Sequence, residues 1–121
     1  NCLPMYIYYL PQQEALMTAE IEIQNAIRRE LPKYGHFVYR GNVGKVKTID
    51  GRWFDTGLPK GWPDLFGWTK EGKFFAIEVK NEKGKLRPDQ VKFGDFLQKQ
   101  PVLYGVARSV EEALKIVEES S

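Results

Sequence analysis

Apolar positions along the chain fall into helical stripes separated by short strand-like runs. Ile23, Ile27 and Leu31 recur at i, i+4 and i+8, the spacing of one helix face, so a helix is predicted from Thr18 to about Leu31. Thr18 suits its N-cap and Pro32 closes it. His36 to Arg40 contains Phe37, Val38 and Tyr39 and reads as a strand. Lys45–Ile49 and Arg52–Phe54 flank Asp50-Gly51, a pair that favours a two-residue hairpin turn, which predicts a basic β-ribbon. Asp64–Trp68 and Phe74–Lys80 form a second hairpin around Thr69–Lys73. Pro88 suits the first position of a helix reaching about Lys99. Val102–Ala107 reads as a buried strand. Ser109-Val110-Glu111-Glu112 has capping-box spacing and opens a last helix through Ala113, Leu114, Ile116 and Val117. The order, helix, several strands, helix, strand, helix, predicts an α/β fold, a central mixed sheet flanked by helices.

The second hairpin brings chemistry together. Strand side chains alternate, so Glu78 and Lys80 share one face, about 6 to 7 Å apart along the strand, while Phe75, Ile77 and Val79 take the other. If Trp68 pairs with Phe74, Asp64 stands directly opposite Glu78, with Cβ atoms about 4.5 to 5.5 Å apart. Bare carboxylates that close repel, and one takes up a proton unless a cation holds both. All-oxygen surroundings favour Mg²⁺ or Mn²⁺. Such an ion contacts phosphate oxygens and acidifies a bound water, with Lys80 orienting that water or stabilising developing charge. The bland alternative is a surface ion pair on a hairpin. Against it, Phe74–Lys80 is apolar on both faces up to Glu78, as a covered strand would be.

Composition narrows the class. A chain of 121 residues fits one domain, and 42% hydrophobic with 28% charged residues is the balance of a folded globular protein. The net charge of +2 does not by itself announce a nucleic-acid partner. Its distribution is more informative: Lys33, Arg40, Lys45, Lys47, Arg52 and Lys60 cluster before the second hairpin, whereas Glu111, Glu112, Glu118 and Glu119 load the last helix. The single cysteine, Cys2, excludes an internal disulfide or a Cys-based zinc site and fits an intracellular location. No apolar run approaches the roughly 18 residues of a membrane span. Residues 1–16 begin without Met and match nothing downstream. They are expected to be an N-terminal extension, a foreign leader or an interface arm carrying the apolar Met5–Leu10, ahead of one domain at 17–121.

Gly61-Trp62-Pro63-Asp64-Leu65, then Glu78-Val79-Lys80, then Gln90 at a helix start, resemble the virus-type replication-repair (VRR) nuclease family over roughly Thr18 to Val117. That family belongs to the restriction-endonuclease-like superfamily, whose signature is Pro-Asp followed by Glu-x-Lys. The resemblance implies a restriction-endonuclease-like core and a Mg²⁺- or Mn²⁺-dependent nuclease. Asp64 and Glu78 would be metal ligands, the Val79 carbonyl a third, and Lys80 catalytic. A first-helix glutamate usually joins them. Glu20 and Glu22 are both available; Glu20 is preferred because it precedes Ile23 and Ile27 by three and seven residues, on the core-facing side. Gln90 precedes Phe93 and Leu97 at the same spacings, so it points inward to hold a water or a phosphate, or else satisfies a helix-terminal backbone group. Arg87 and Trp62 depart from the smaller residues usual at their places, which bears on substrate preference more than on chemistry.

Other features read more plainly. His36 lacks any partner nucleophile and is a strand residue. Trp53, Phe54, Trp62 and Trp68 read as core, with Trp53 on the ribbon open to a stacking role. Lys45, Lys47, Arg52, Lys60, Lys83, Lys85 and Arg87 are candidate phosphate contacts, though solvated loops explain them nearly as well. The expected activity is structure-directed cleavage of branched DNA by a homodimer resembling Holliday junction resolvases, since one domain offers one cleft and symmetric cutting needs two. Two alternatives stand: a monomeric flap or single-strand nuclease, and a catalytically silent DNA-binding module. A viral origin would place the protein in the cytoplasm of an infected bacterium.

Overall fold

The computed structural model describes residues 12–118, with side chains from Ala19 onward except Val46. Met5–Leu10 and Cys2 lie outside the described residues. Three α-helices and six strands are present, α1 (Gln12–Glu30), β1 (Phe37–Arg40), β2 (Lys45–Lys47), β3 (Trp53–Asp55), β4 (Leu65–Trp68), β5 (Phe74–Val79), α2 (Pro88–Gln98), β6 (Leu103–Ala107) and α3 (Val110–Glu118), with a 3₁₀ turn at Leu31–Tyr34. β1-β4-β5-β6 form a mixed sheet in that order, antiparallel except for the parallel β5–β6 pair, and β2–β3 form a separate ribbon. This is the α/β fold expected from the sequence.

Period-2 patterning assigns the two faces of the sheet. Phe75, Ile77 and Val79 of β5 point to one side and join Leu65, Ala107, Ile27, Leu31, Ala113 and Val117 in a single core under α1 and α3. Ile27 and Leu31 of the predicted stripe are fully buried. The other side carries Phe66, Ala76, Glu78 and Tyr104 and is covered by α2.

Three expectations need correction. Thr18 is no N-cap, because α1 begins at Gln12 and runs through it. The preceding Gln-Gln-Glu-Ala-Leu-Met consists of good helix formers, so nothing stops the helix there. The ribbon does not turn on two residues: Thr48 pairs with Arg52 (N–O 2.7 Å), leaving Ile49, Asp50 and Gly51 as a three-residue loop. Only Gly51 takes positive φ (86°), so Asp50 avoids the left-handed strain that a two-residue turn would impose. Trp53, Phe54 and Trp68 are not core but 68%, 59% and 44% exposed.

Smaller features follow the sequence closely. Ser109 Oγ accepts the Glu112 amide at 3.2 Å, as a capping box requires, but the Glu112 carboxylate reaches one residue further back, to the Arg108 amide at 2.7 Å. His36 is structural: buried just before β1, its Nδ1 accepts the Lys70 amide (3.1 Å) and its Nε2 faces Glu118 (3.4 Å). No described helix is long and apolar enough to cross a membrane.

α2 can approach the sheet closely because its Gly94 leaves room for Tyr104. A Cβ at position 94 would lie 2.5 Å from the Tyr104 hydroxyl. Gly94→Ala is therefore expected to cost about 1–3 kcal/mol of stability by overpacking, despite the better helix propensity of alanine. Chemical denaturation of the two proteins measures it.

Candidate active site

Trp68 pairs with Phe74 and Leu65 with Ile77, so the same register sets Asp64 against Glu78 at the mouth of the hairpin. Asp64 is tied down twice. Its Oδ2 accepts the Val79 amide at 2.9 Å, and its carbonyl accepts the Gly41 amide at 2.8 Å. The turn before it is equally constrained. Gly61 (φ 90°) passes so near the first turn of α2 that a Cβ would sit 2.5 Å from the Asp89 carbonyl. Pro63 is buried behind it. Because the N–H and C=O of one strand residue point to the same edge, the Val79 carbonyl is directed to the Asp64 side as well.

Glu78 is 1% exposed. Its Oε1 accepts from Gln90 Nε2 at 3.0 Å, while Oε2 is buried without a hydrogen-bond partner. Burial first, then the adjacent Asp64 carboxylate, hold the Glu78 carboxyl well above the usual carboxylate range, with Lys80 and Arg87 pulling the other way. Gln90 takes the helix-terminal role, and its inward end meets Glu78, where a water or a phosphate was the other expectation. Its Oε1 accepts the Arg87 amide (2.9 Å), satisfying the first turn of α2, and its Nε2 orients Glu78.

Lys80 is 7% exposed and lines the same cleft, of ≈ 690 Å³, as Glu20, Asp64, Gln90 and Arg87. It takes part in no ion pair among the described residues. Glu20 Oε2, Asn81 Oδ1 and Lys80 Cδ all crowd Gly84, within 2.9, 3.1 and 3.4 Å of where its Cβ would be. Glu20 thus reaches the cleft from α1, whereas Glu22 is exposed and does not line it.

Among the described residues no three His, Cys, Asp or Glu side chains converge into a ready-made cage. The arrangement fits a hard cation that takes one or two carboxylates and keeps its waters. The orphaned Glu78 Oε2 beside Asp64 is the observation in favour: an acceptor left unpaired in a buried place lacks a positive partner.

The basic candidates separate. Arg87 lines the cleft, with its Nε 3.3 Å from Asp89. Lys45, Lys47, Arg52, Lys60, Lys83 and Lys85 are exposed and lie outside its walls. Arg52 is engaged by Asp50 (2.8 Å), and Lys47 sits 6.0 Å over the Trp53 ring.

Four further residues belong to the site. Arg40 lines the cleft from the end of β1. Asn81, buried next to Lys80, shapes the following loop by accepting the Lys83 amide at 3.0 Å. Arg108 pins that loop, donating from Nη1 to the carbonyls of Asn81 (2.6 Å) and Gly84 (2.8 Å). Tyr104, behind the acidic pair, has its phenol pushed up to about 12 by burial and then by Glu78, Asp95 and Asp64. Position next to Glu78-Val79-Lys80 was a usable signal for Asn81, and the basic cluster was one for Arg40; Tyr104 and Arg108 carry none, because only the sheet and its crossover bring them in.

The Glu78 shift has a sign that can be tested. A carboxyl whose folded pKa is raised stabilises the fold below its unfolded value, about 4.3, and that contribution is lost as pH rises through the raised folded value. Metal-free protein should therefore melt at progressively lower temperature from pH 5 to pH 8. Glu78→Gln should flatten that slope and be more stable at the alkaline end by on the order of 1–3 kcal/mol. Thermal melts of both proteins in chelator across this range provide the check.

Comparison with known proteins agrees with this geometry. The profile of the VRR-NUC domain matches residues 18–111. A solved structure described as a VRR_NUC domain superposes with a TM-score of 0.61 at 22% identity, covering 85% of this chain and 98% of that one, a likeness of fold. No curated protein matches the chain. A profile match over most of the length, on a fold that opens Asp64 and Lys80 into one cleft with Glu78 buried behind them, places the chain in the VRR-NUC family, as a nuclease-type domain.

Proposed function

We propose that this chain is a divalent-metal-dependent endonuclease that hydrolyses DNA phosphodiester bonds, acting on branched DNA. The observation that carries the reading is a buried carboxylate, Glu78, with one oxygen that has no hydrogen-bond partner, set against the part-buried Asp64 and the buried Lys80. Mg²⁺ or Mn²⁺, which Glu20, Asp64, Glu78 and the Val79 carbonyl would hold, would supply Lewis acidity and a water of lowered pKa.

The chain's own groups do the rest. Asp64 and Glu78 supply the negative charge that recruits the cation, and Gln90 keeps Glu78 in one rotamer. Lys80 directs its ammonium to the attacking water or to the phosphate oxygens, where positive charge stabilises the transition state more than the ground state. Arg87 and Arg40 on the cleft walls hold the DNA backbone by phosphate contacts, which give position without sequence. The exposed basic ribbon residues Lys45, Lys47 and Arg52, with Lys60, Lys83 and Lys85, extend that backbone contact outward. A homodimer gives two clefts related by a two-fold axis, as symmetric cutting of a junction requires.

Asp64→Asn and Lys80→Ala should each lower the cleavage rate by about 10²-fold or more while leaving DNA affinity within a few-fold. Chelator should abolish cleavage, and added Mg²⁺ or Mn²⁺ should restore it. Gel assays on four-way junction, flap and linear duplex, run beside sedimentation at low concentration, decide the substrate: a monomer that cuts only flaps ends the junction reading, and cleavage that survives both substitutions ends the nuclease reading.

A further inference from the structure

Aromatic rings run in a band across the face of the sheet that carries Asp64 and Glu78. Asp64, Phe66 and Trp68 alternate onto that face, and β1 adds Phe37 and Tyr39, paired with Trp68 and Phe66. The inner part of the band is covered. Trp62 packs on Phe66 and Phe74, at 5.7 and 6.4 Å between ring centres, and leans on Phe93 of α2 at 5.5 Å.

The outer part is bare. Phe37, Tyr39 and Trp68 are 50%, 48% and 44% exposed, on the edge strand of the sheet and its neighbour. The Phe37 and Trp68 rings are stacked, 5.1 Å apart with planes 23° from parallel, and Tyr39 tilts against the same indole at 5.7 Å. Contiguous apolar surface of this kind marks an interaction site more often than a plain exterior.

Position and charge choose the occupant. Trp68 lies four residues along β4 from Asp64, roughly 13 Å, so a strand with a phosphate at the acidic pair passes within a few nucleotides of the platform. Cations stand at both ends: Lys70 and Lys73 in the turn beyond Trp68, with Glu71 as that turn's one carboxylate, and Arg40 at the far end of β1, lining the cleft. A polyanion is attracted to such a surface. A second copy meeting it across a two-fold axis would bring like charges together.

We propose that Phe37, Tyr39 and Trp68 form a stacking platform for unpaired bases of the DNA strand entering the cleft, which rests on the nuclease reading above. Every base has a π-face, so the platform is indifferent to sequence, and paired bases are closed to it. Among branched DNAs, those that open unpaired bases next to the scissile phosphate are then held best.

Binding of a short oligothymidine and of a blunt duplex, measured in chelator so that nothing is cut, tests the proposal. Trp68→Leu and, separately, Tyr39→Leu should each weaken oligothymidine binding about tenfold and leave duplex binding within twofold, while Trp68→Phe retains wild-type affinity. Oligothymidine affinity unchanged in both leucine variants overturns the platform, and loss of a dimer in sedimentation alongside that result gives the surface to a second copy. Wild-type protein that binds neither DNA overturns the nuclease reading and the platform together; wild type that binds both, with variants indistinguishable from it, overturns the platform alone.

Discussion

Two carboxylates from adjacent strands, Asp64 and Glu78, face one another where little water reaches, and their mutual repulsion is the constraint around which the molecule is arranged. Left alone, such a pair relaxes by taking up a proton or by moving apart. Movement is blocked on every side. Asp64 is fastened to the Val79 amide and Glu78 to Gln90. Gly61 brings the preceding turn against α2, and Pro63 is buried behind it. Uptake of a proton by Glu78 is the relief that remains, and a cation that displaces it meets both carboxylates already in place.

The two faces of the sheet divide the labour. Under α1 and α3 lies the continuous apolar core of Ile27, Leu31, Leu65, Phe75, Ile77 and Val79, which makes the strands rigid and their register costly to shift. Under α2 lie the polar groups whose positions depend on that register. A slip of one residue would exchange the two sets, burying Glu78 among aliphatic side chains and turning Ile77 toward the cleft. The stability of the back is therefore what holds the chemistry of the front in place. Arg108 extends the same principle beyond the sheet, closing the loop after Lys80 with bonds to the Asn81 and Gly84 carbonyls.

Outside the cleft, the surface is uneven in a way that suits a large anionic polymer. Acidic residues sit on α3, at the back, while Arg40 and Arg87 border the cleft and the β2–β3 ribbon presents Lys45 and Lys47 to solvent. Among the described residues, exposed aromatic rings group on the ribbon and at the edge of the sheet, with Tyr34 and Phe96 exposed singly. Only those at the edge share a face with Asp64 and Glu78.

The sequence by itself determined what depends on short-range periodicity. Alternation along Phe74–Lys80 placed Glu78 and Lys80 together, hairpin arithmetic placed Asp64 opposite Glu78, and helical spacing turned Gln90 inward. These survive because each is a relation between residues a few positions or one turn apart. Tertiary structure alone decided whatever depends on which surfaces are covered. It left Trp53, Phe54 and Trp68 exposed although their types suggested core. It also brought Tyr104 behind the acidic pair, Arg40 to the cleft wall and Arg108 to the loop after Lys80, since strand order and the β5–α2–β6 crossover are long-range packing outcomes that no local pattern encodes.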